Sequence, residues 1–280
     1  MKNFLAIEHV SFQVWLFIER TSLHGQFSPS WQSCAQIVMI ITHIMFELAM
    51  KPLCLVTGVG PGTGAAIVRR FAVDYRVAMI ARNTERLNEL SSEIESATPF
   101  TCDVSDPEVL SSTLSKIRQS LGDPDVVIHN AVGGAFGDFL SIKPFTLMKN
   151  FEVNTMALLQ LGQELAPAMI EKGHGAIVCT GNTSAYRGKD FFSGFAPTKA
   201  AQRILAESMA RHAGPKGVHV AYVAIDAVIS LPWTRERYAD KPDDFFCYPE
   251  DIAEHVWQVA HQPKSAWTFD TVIRPFGENW

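Results

Sequence analysis

From Leu53 onward the chain alternates short apolar runs with longer stretches of helical period: 53–56 then 64–73, Val77–Ile80 then 84–95, Phe100–Cys102 then 107–120. The series continues with Val126–Ile128, a helical stretch around 145–171, Ala176–Cys179, a second around 196–213, and Val218–Ile225. An amphipathic helix after Pro249 and a strand around Thr271–Ile273 close it. Runs that are apolar at every position suit strands covered on both faces, and the helices between them supply parallel crossovers. The pattern predicts an α/β fold, a doubly wound (Rossmann) seven-stranded parallel sheet with helices on both faces, in a single domain. Leu231–Tyr248 shows neither period. After a sixth strand, such an excursion is where a doubly wound enzyme places a lid above the carboxyl ends of its strands. Its Trp233, Tyr238, Phe245, Phe246 and Tyr248 suit an apolar substrate, or a loop pinned down by its own rings.

Composition narrows the partners. Of 280 residues, 47% are hydrophobic and 19% charged, with 24 basic side chains against 29 acidic ones. That balance excludes a disordered tail and a strongly basic nucleic-acid binder. Cys34, Cys54, Cys102, Cys179 and Cys247 are scattered and form no CxxC pair, which argues against a disulfide framework or a metal site and for a cytoplasmic location. Residues 1–49 differ from the rest, holding seven aromatics but only one of the 18 glycines. Glu8, His9, Gln13, Glu19 and Arg20 interrupt any signal-peptide core, and Ala35–Met50 carries His43 and Glu47 and falls short of the roughly 20 apolar residues a membrane span needs. The fold is therefore assigned to 50–280, with 1–49 as an N-terminal extension outside it; a true translational start at Met50 is the accompanying expectation.

Thr57-Gly58-Val59-Gly60-Pro61-Gly62-Thr63-Gly64 directly follows the first strand and opens the first helix. Glycines there permit a tight turn, let backbone N–H groups approach a diphosphate, and bring the helix close; its N-terminus adds partial positive charge. The spacing Thr-Gly-x3-Gly-x-Gly resembles the short-chain dehydrogenase/reductase family, and the resemblance extends over nearly all of 52–280. It implies cofactor contacts from Gly58, Pro61, Gly62, Thr63 and Gly64, from Asp103-Val104 after the third strand, from Asn130-Ala131 after the fourth, and from Ser230 after the sixth. After the second strand comes Arg82 in place of a carboxylate, so NADP(H) is favoured over NAD(H).

The family's catalysis uses an asparagine, a serine, a tyrosine and a lysine. Asn154 matches the first and Lys199 the last, where the lysine also binds the nicotinamide ribose. The tyrosine position holds Phe195 and the serine position holds Asn182, with Thr183 and Ser184 beside it and Tyr186 in the same loop. Phenylalanine has no proton to give. An active enzyme would draw its proton from Lys199, Tyr186 or water, while Asn182 can still donate through its amide. The resemblance implies an NAD(P)(H)-dependent oxidoreductase that reduces a small apolar carbonyl or alkene, or oxidises the alcohol. The alternative is a catalytically impaired NADP(H)-binding sensor or interaction protein. The expected partners are a small-molecule substrate and a second copy of the chain in a homodimer or homotetramer, through the helices around 145–171 and 196–213, with neither nucleic acid nor membrane.

Overall fold

The computed structural model describes residues 51–277, of which 52–277 belong to one compact unit. The extension and the start assigned from the sequence lie outside the described residues. Strand β1 (Leu53–Thr57) is buried at all five positions. Its side chains alternate between two cores. Cys54 and Val56 face one, and Leu53 and Leu55 the other.

The order along the chain is β1, α1 (Thr63–Phe71), β2 (Arg76–Ala81), α2 (Thr84–Glu93), β3 (Ala97–Thr101), α3 (Pro107–Leu121), β4 (Val126–His129) and α4 (Pro144–Phe151). Then follow α5 (Ala157–Lys172), β5 (Gly175–Gly181), α6 (Ala196–Ala213), β6 (Val218–Ile225), β7 (Val228–Ile229), α7 (Pro232–Arg237), β8 (Phe246–Cys247), α8 (Pro249–Ala260) and β9 (Asp270–Ile273). Seven strands form one sheet in the order β3-β2-β1-β4-β5-β6-β9, parallel at every pairing. Helices α1, α2 and α8 bury Ile67, Phe71, Leu87, Ile252 and Val256 against one face. Helices α3, α5 and α6 bury Leu110, Leu114, Leu158, Leu161 and Ala206 against the other. The strand order reverses between β1 and β4, which opens a crevice at their carboxyl ends.

Helix starts follow local chemistry. The Asp106 carboxylate accepts from the N–H groups of Glu108 at 3.1 Å and Val109 at 3.0 Å, with Pro107 at the first helical position. Asn83 caps α2 through Arg86 N–H at 2.8 Å.

Three features depart from the sequence expectation. Strand β3 begins at Ala97 and ends before Cys102, because it pairs with β2 along Val77–Ala81 rather than stopping at its apolar residues. The helical stretch near 145–171 is interrupted by a π-helical turn, Glu152–Met156, between α4 and α5. Leu231–Tyr248 is also more regular than its composition suggests. It contains α7 and β8, and β8 pairs with β7 in a separate two-stranded sheet.

Candidate active site

The crevice at the strand reversal holds a cavity of about 950 Å³ lined by Gly58 to Gly64, Arg82, Asp103, Val104, Asn130 and Ala131. Gly58 has φ of +72°, and a side chain there would strike the Ala131 backbone. The Asn130 amide donates to the Gly58 carbonyl at 2.9 Å and accepts from the Thr180 hydroxyl at 2.8 Å, tying the turn to β4 and β5. Thr57 Oγ1 sits 3.3 Å from Ala131 N and 3.0 Å from His129 Nδ1. Burial, followed by the nearby Lys199 charge, pushes the His129 imidazole down to about 3, so it is neutral.

Helix α1 starts at the cavity floor with no side-chain cap and no acidic residue in its first turn. The Thr63 hydroxyl lines the cavity, is buried, and has no partner. A helix N-terminus without a side-chain cap beside an orphaned hydroxyl is the kind of donor set that a dinucleotide's phosphates take up, so the residues present fit that cofactor. At the far end Arg82 is 78% exposed and 3.9 Å from Asp103. Against the cost of its partial burial, the Asp103 carboxyl is held below its ordinary value by two Ser105 donors and the Arg82 charge.

A second cavity, of about 510 Å³, shares Thr63 and Asn130 with the first and runs on to Asn182, Thr183, Lys199, Asp226, Phe192, Tyr238 and Phe245. Lys199 is 2% exposed, and its ammonium donates to Gln202 Oε1 at 2.9 Å and to the Thr180 carbonyl at 3.4 Å. Burial pushes it down to about 8, against an opposing contribution from Cys179. The Asn154 side chain accepts from Gly133 N–H at 3.0 Å and donates to the Gly133 carbonyl at 2.9 Å and to Thr198 Oγ1 at 2.8 Å. Its amide is committed to holding the β4 loop against α6. Asn182 Oδ1 accepts from Ser184 N–H at 3.2 Å, which leaves its Nδ2 as the donor available to the cavity. The Thr183 hydroxyl donates to Asp226 at 2.5 Å, with Arg274 3.9 Å and Arg187 4.0 Å from the same carboxylate.

Four residues singled out in the sequence stand apart from this cavity: Asn154, committed as described, and Tyr186, Ser230 and Phe195. The Tyr186 hydroxyl donates to Asp270 and its ring stacks under Arg203; burial, together with Asp270, raises its proton affinity, which disfavours ionisation. Ser230 is used by the lid, its hydroxyl accepting from Arg235 at 2.9 Å. Phe195 is 4% exposed and packs against Phe136 at 5.3 Å and Phe192 at 6.3 Å, with Lys199 Nζ 5.9 Å from its ring centre. Of the five lid aromatics, Tyr238 and Phe245 reach the second cavity and Trp233 the first, whereas Phe246 and Tyr248 flank Arg235. Sequence reasoning missed Arg86 and Lys149 beside the first cavity and Gln202 behind Lys199. The signal for Gln202 was present, since a residue three positions on from Lys199 shares its helix face.

Residues 52–239 match the family described as short chain dehydrogenase. The chain is 30% identical to the L-xylulose reductase of Cavia porcellus over 188 residues, which is 66% of this chain and 75% of that protein. A short-chain dehydrogenase from Rhodopseudomonas palustris is 31% identical, with a TM-score of 0.69, over 80% of this chain and 99% of that one. An alcohol dehydrogenase of Thermococcus sibiricus, solved in complex with 5-hydroxy-NADP, shares the fold with a TM-score of 0.72 at 24% identity, over 82% of this chain and 98% of that one.

Proposed function

The chain belongs to the short-chain dehydrogenase family, and on that premise we propose an NADP(H)-dependent reductase in which Lys199, not a tyrosine, delivers the proton to a small apolar carbonyl or alkene. The observation that carries this is the state of Lys199. It is a buried ammonium on the cavity wall that, among the described residues, has no carboxylate partner and donates to neutral oxygens, and burial brings it down to about 8. A group whose proton equilibrium lies near working pH is suited to general acid–base catalysis.

When bound, the nicotinamide cofactor supplies the hydride. Asn182 Nδ2 donates to the substrate oxygen and meets the charge that develops there. Lys199 gives one N–H proton to that oxygen (for an alkene, to the carbon that becomes anionic). The neutral amine is left against Gln202 and the Thr180 carbonyl, and solvent entering the cavity reprotonates it. Hydride plus this proton account for both hydrogens gained by the product. Phe192, Tyr238 and Phe245 offer apolar walls to the remainder of the substrate.

The preference for NADP(H) rests on Arg82 and Arg86 beside the first cavity and on the cofactor named for the Thermococcus structure. Self-association through α4 to α6 is supported by the exposed Phe145, Met148, Met156 and Ile204. A cytoplasmic setting is the reading adopted from cysteine usage.

The test is NADPH oxidation by the protein and by Phe195→Tyr with a panel of apolar ketones, aldehydes and enones. Turnover by the wild-type chain that is lost in Lys199→Met supports the proposal. If NADPH binds but only Phe195→Tyr turns over, the natural protein is the NADP(H)-binding sensor instead.

A further inference from the structure

Gln202 lies wholly inside the protein, one turn beyond Lys199 on α6. Its Oε1 receives the Lys199 ammonium at 2.9 Å and its Nε2 donates to the Asn154 main-chain carbonyl at 2.6 Å. The second bond fixes the amide's orientation. With Nε2 committed to a carbonyl, only Oε1 can face Lys199. Asn154 belongs to the π-helical turn, which is latched to the start of α6 by Asn154 Nδ2 to Thr198 Oγ1 at 2.8 Å and by the Thr155 hydroxyl to the Thr198 carbonyl at 3.1 Å. The amide is therefore a rigid spacer between the π-turn and the lysine, and its two direct hydrogen bonds leave no gap for a water along that line.

We propose that Gln202 is a positioning residue that sets the protonation equilibrium of Lys199 by presenting a neutral, orientation-locked acceptor, and that it confines proton exchange to the cavity side.

The physical argument is a comparison of possible occupants. A carboxylate at this position would bind the ammonium as an ion pair and strengthen its hold on the proton. An apolar side chain would leave the ammonium with the long Thr180 contact alone and weaken that hold. The amide lies between the two. It satisfies the charged form without fixing it, which is what a group that must both release and regain a proton requires. Other ionisable groups around Lys199 are the Cys179 thiol on β5, the His129 imidazole on β4, and Lys189 and Asp226 on the cavity wall; Tyr222 on β6 meets Asn182, and Glu152 on the π-turn is paired with Lys149. Among these only Asp226 is a carboxylate on the cavity wall, and it is already bonded to Thr183 and flanked by Arg187 and Arg274. Gln202 is thus the acceptor whose replacement most directly tunes Lys199.

The inference rests on the reading of Lys199 as proton donor, so its test is separated from turnover. In the full chain, Gln202→Glu and Gln202→Met are compared with wild type by competitive acetylation with acetic anhydride across a pH series. Mass spectrometry of the Lys199 peptide reports the midpoint for its deprotonation. Gln202→Glu is expected to raise that midpoint by about one unit or more, a roughly fivefold or greater fall in the neutral amine fraction near pH 8, and Gln202→Met to lower it. Opposite shifts are the signature. A merely structural role would admit water in both variants and move both midpoints upward; parallel shifts or none overturn the proposal. If the midpoints diverge as expected while the pH profile of kcat/KM does not follow them, Gln202 keeps its role and it is the assignment of Lys199 as the acid that fails.

Discussion

Replacing Lys199 with Met should change how the protein's stability depends on pH, by an amount the structure permits to be worked out. Burial lowers the lysine from 10.5 to about 8. The gap, at about 1.36 kcal/mol per unit, makes the charged form cost the fold on the order of 3 kcal/mol. Below about 8 the folded and unfolded chains both carry the proton, and the full cost applies. Between about 8 and 10.5 the unfolded chain holds the proton while the folded chain has released it, so stability rises with pH; above 10.5 the cost is gone. Lys199→Met has no such titration. It leaves Gln202 Oε1 without its donor, but that penalty is the same at every pH. Cys54 and Tyr222, shifted upward by burial, titrate in both proteins and cancel in the difference, and the Cys179 thiol, raised to about 12 by burial against the pull of Lys199, stays protonated in both folded proteins over this range. Thermal melts of both proteins at matched ionic strength from pH 7 to 10.5, without nucleotide, should show wild type gaining on the variant by up to about 3 kcal/mol, or roughly 6–12 °C in Tm for a domain of this size. A gap that stays constant, or that moves the other way, would refute the claim that Lys199 is a buried cation lacking a charged partner.

Three other outcomes are expected. Arg82→Ala should weaken NADPH binding by about tenfold to a hundredfold and leave NADH binding nearly unchanged, as read by nucleotide fluorescence titration; equal losses for both would remove Arg82 from 2′-phosphate recognition. Gly58→Ala forces a side chain into φ of +72° against the Ala131 backbone. It should cost more than the roughly 1–2 kcal/mol of the left-handed conformation alone and abolish nucleotide-induced stabilisation in a melt. His129 is neutral in the fold down to about 3 but takes up a proton near 6.5 when unfolded, so its contribution is lost as pH falls through that window. His129→Asn should therefore unfold at a lower pH than wild type in an acid titration followed by circular dichroism.

The fold was legible because strand burial is written in the sequence. Leu53–Val56 is apolar throughout and Val218–Ile225 is apolar but for His219, since helices cover both faces of the sheet, and their limits agree with the structure to within a residue. The cofactor crevice was legible for a related reason, as a glycine at positive φ touching another backbone cannot be exchanged for a larger residue. What neighbouring residues in the chain cannot encode is direction. Tyr186 and Asn182 lie in one loop, yet the Tyr186 hydroxyl is drawn out to Asp270 on β9, whereas Asn182 is turned by Ser184 so that its amide faces the cavity. Partners 84 and 48 positions apart, Tyr186 with Asp270 and Gln202 with Asn154, meet only when the sheet and the π-turn assemble. Local periodicity and turn chemistry thus determined the layers and the nucleotide turn. The state of Lys199 was decided by tertiary structure, because burial and the choice of a neutral rather than a charged neighbour are properties of the assembled interior.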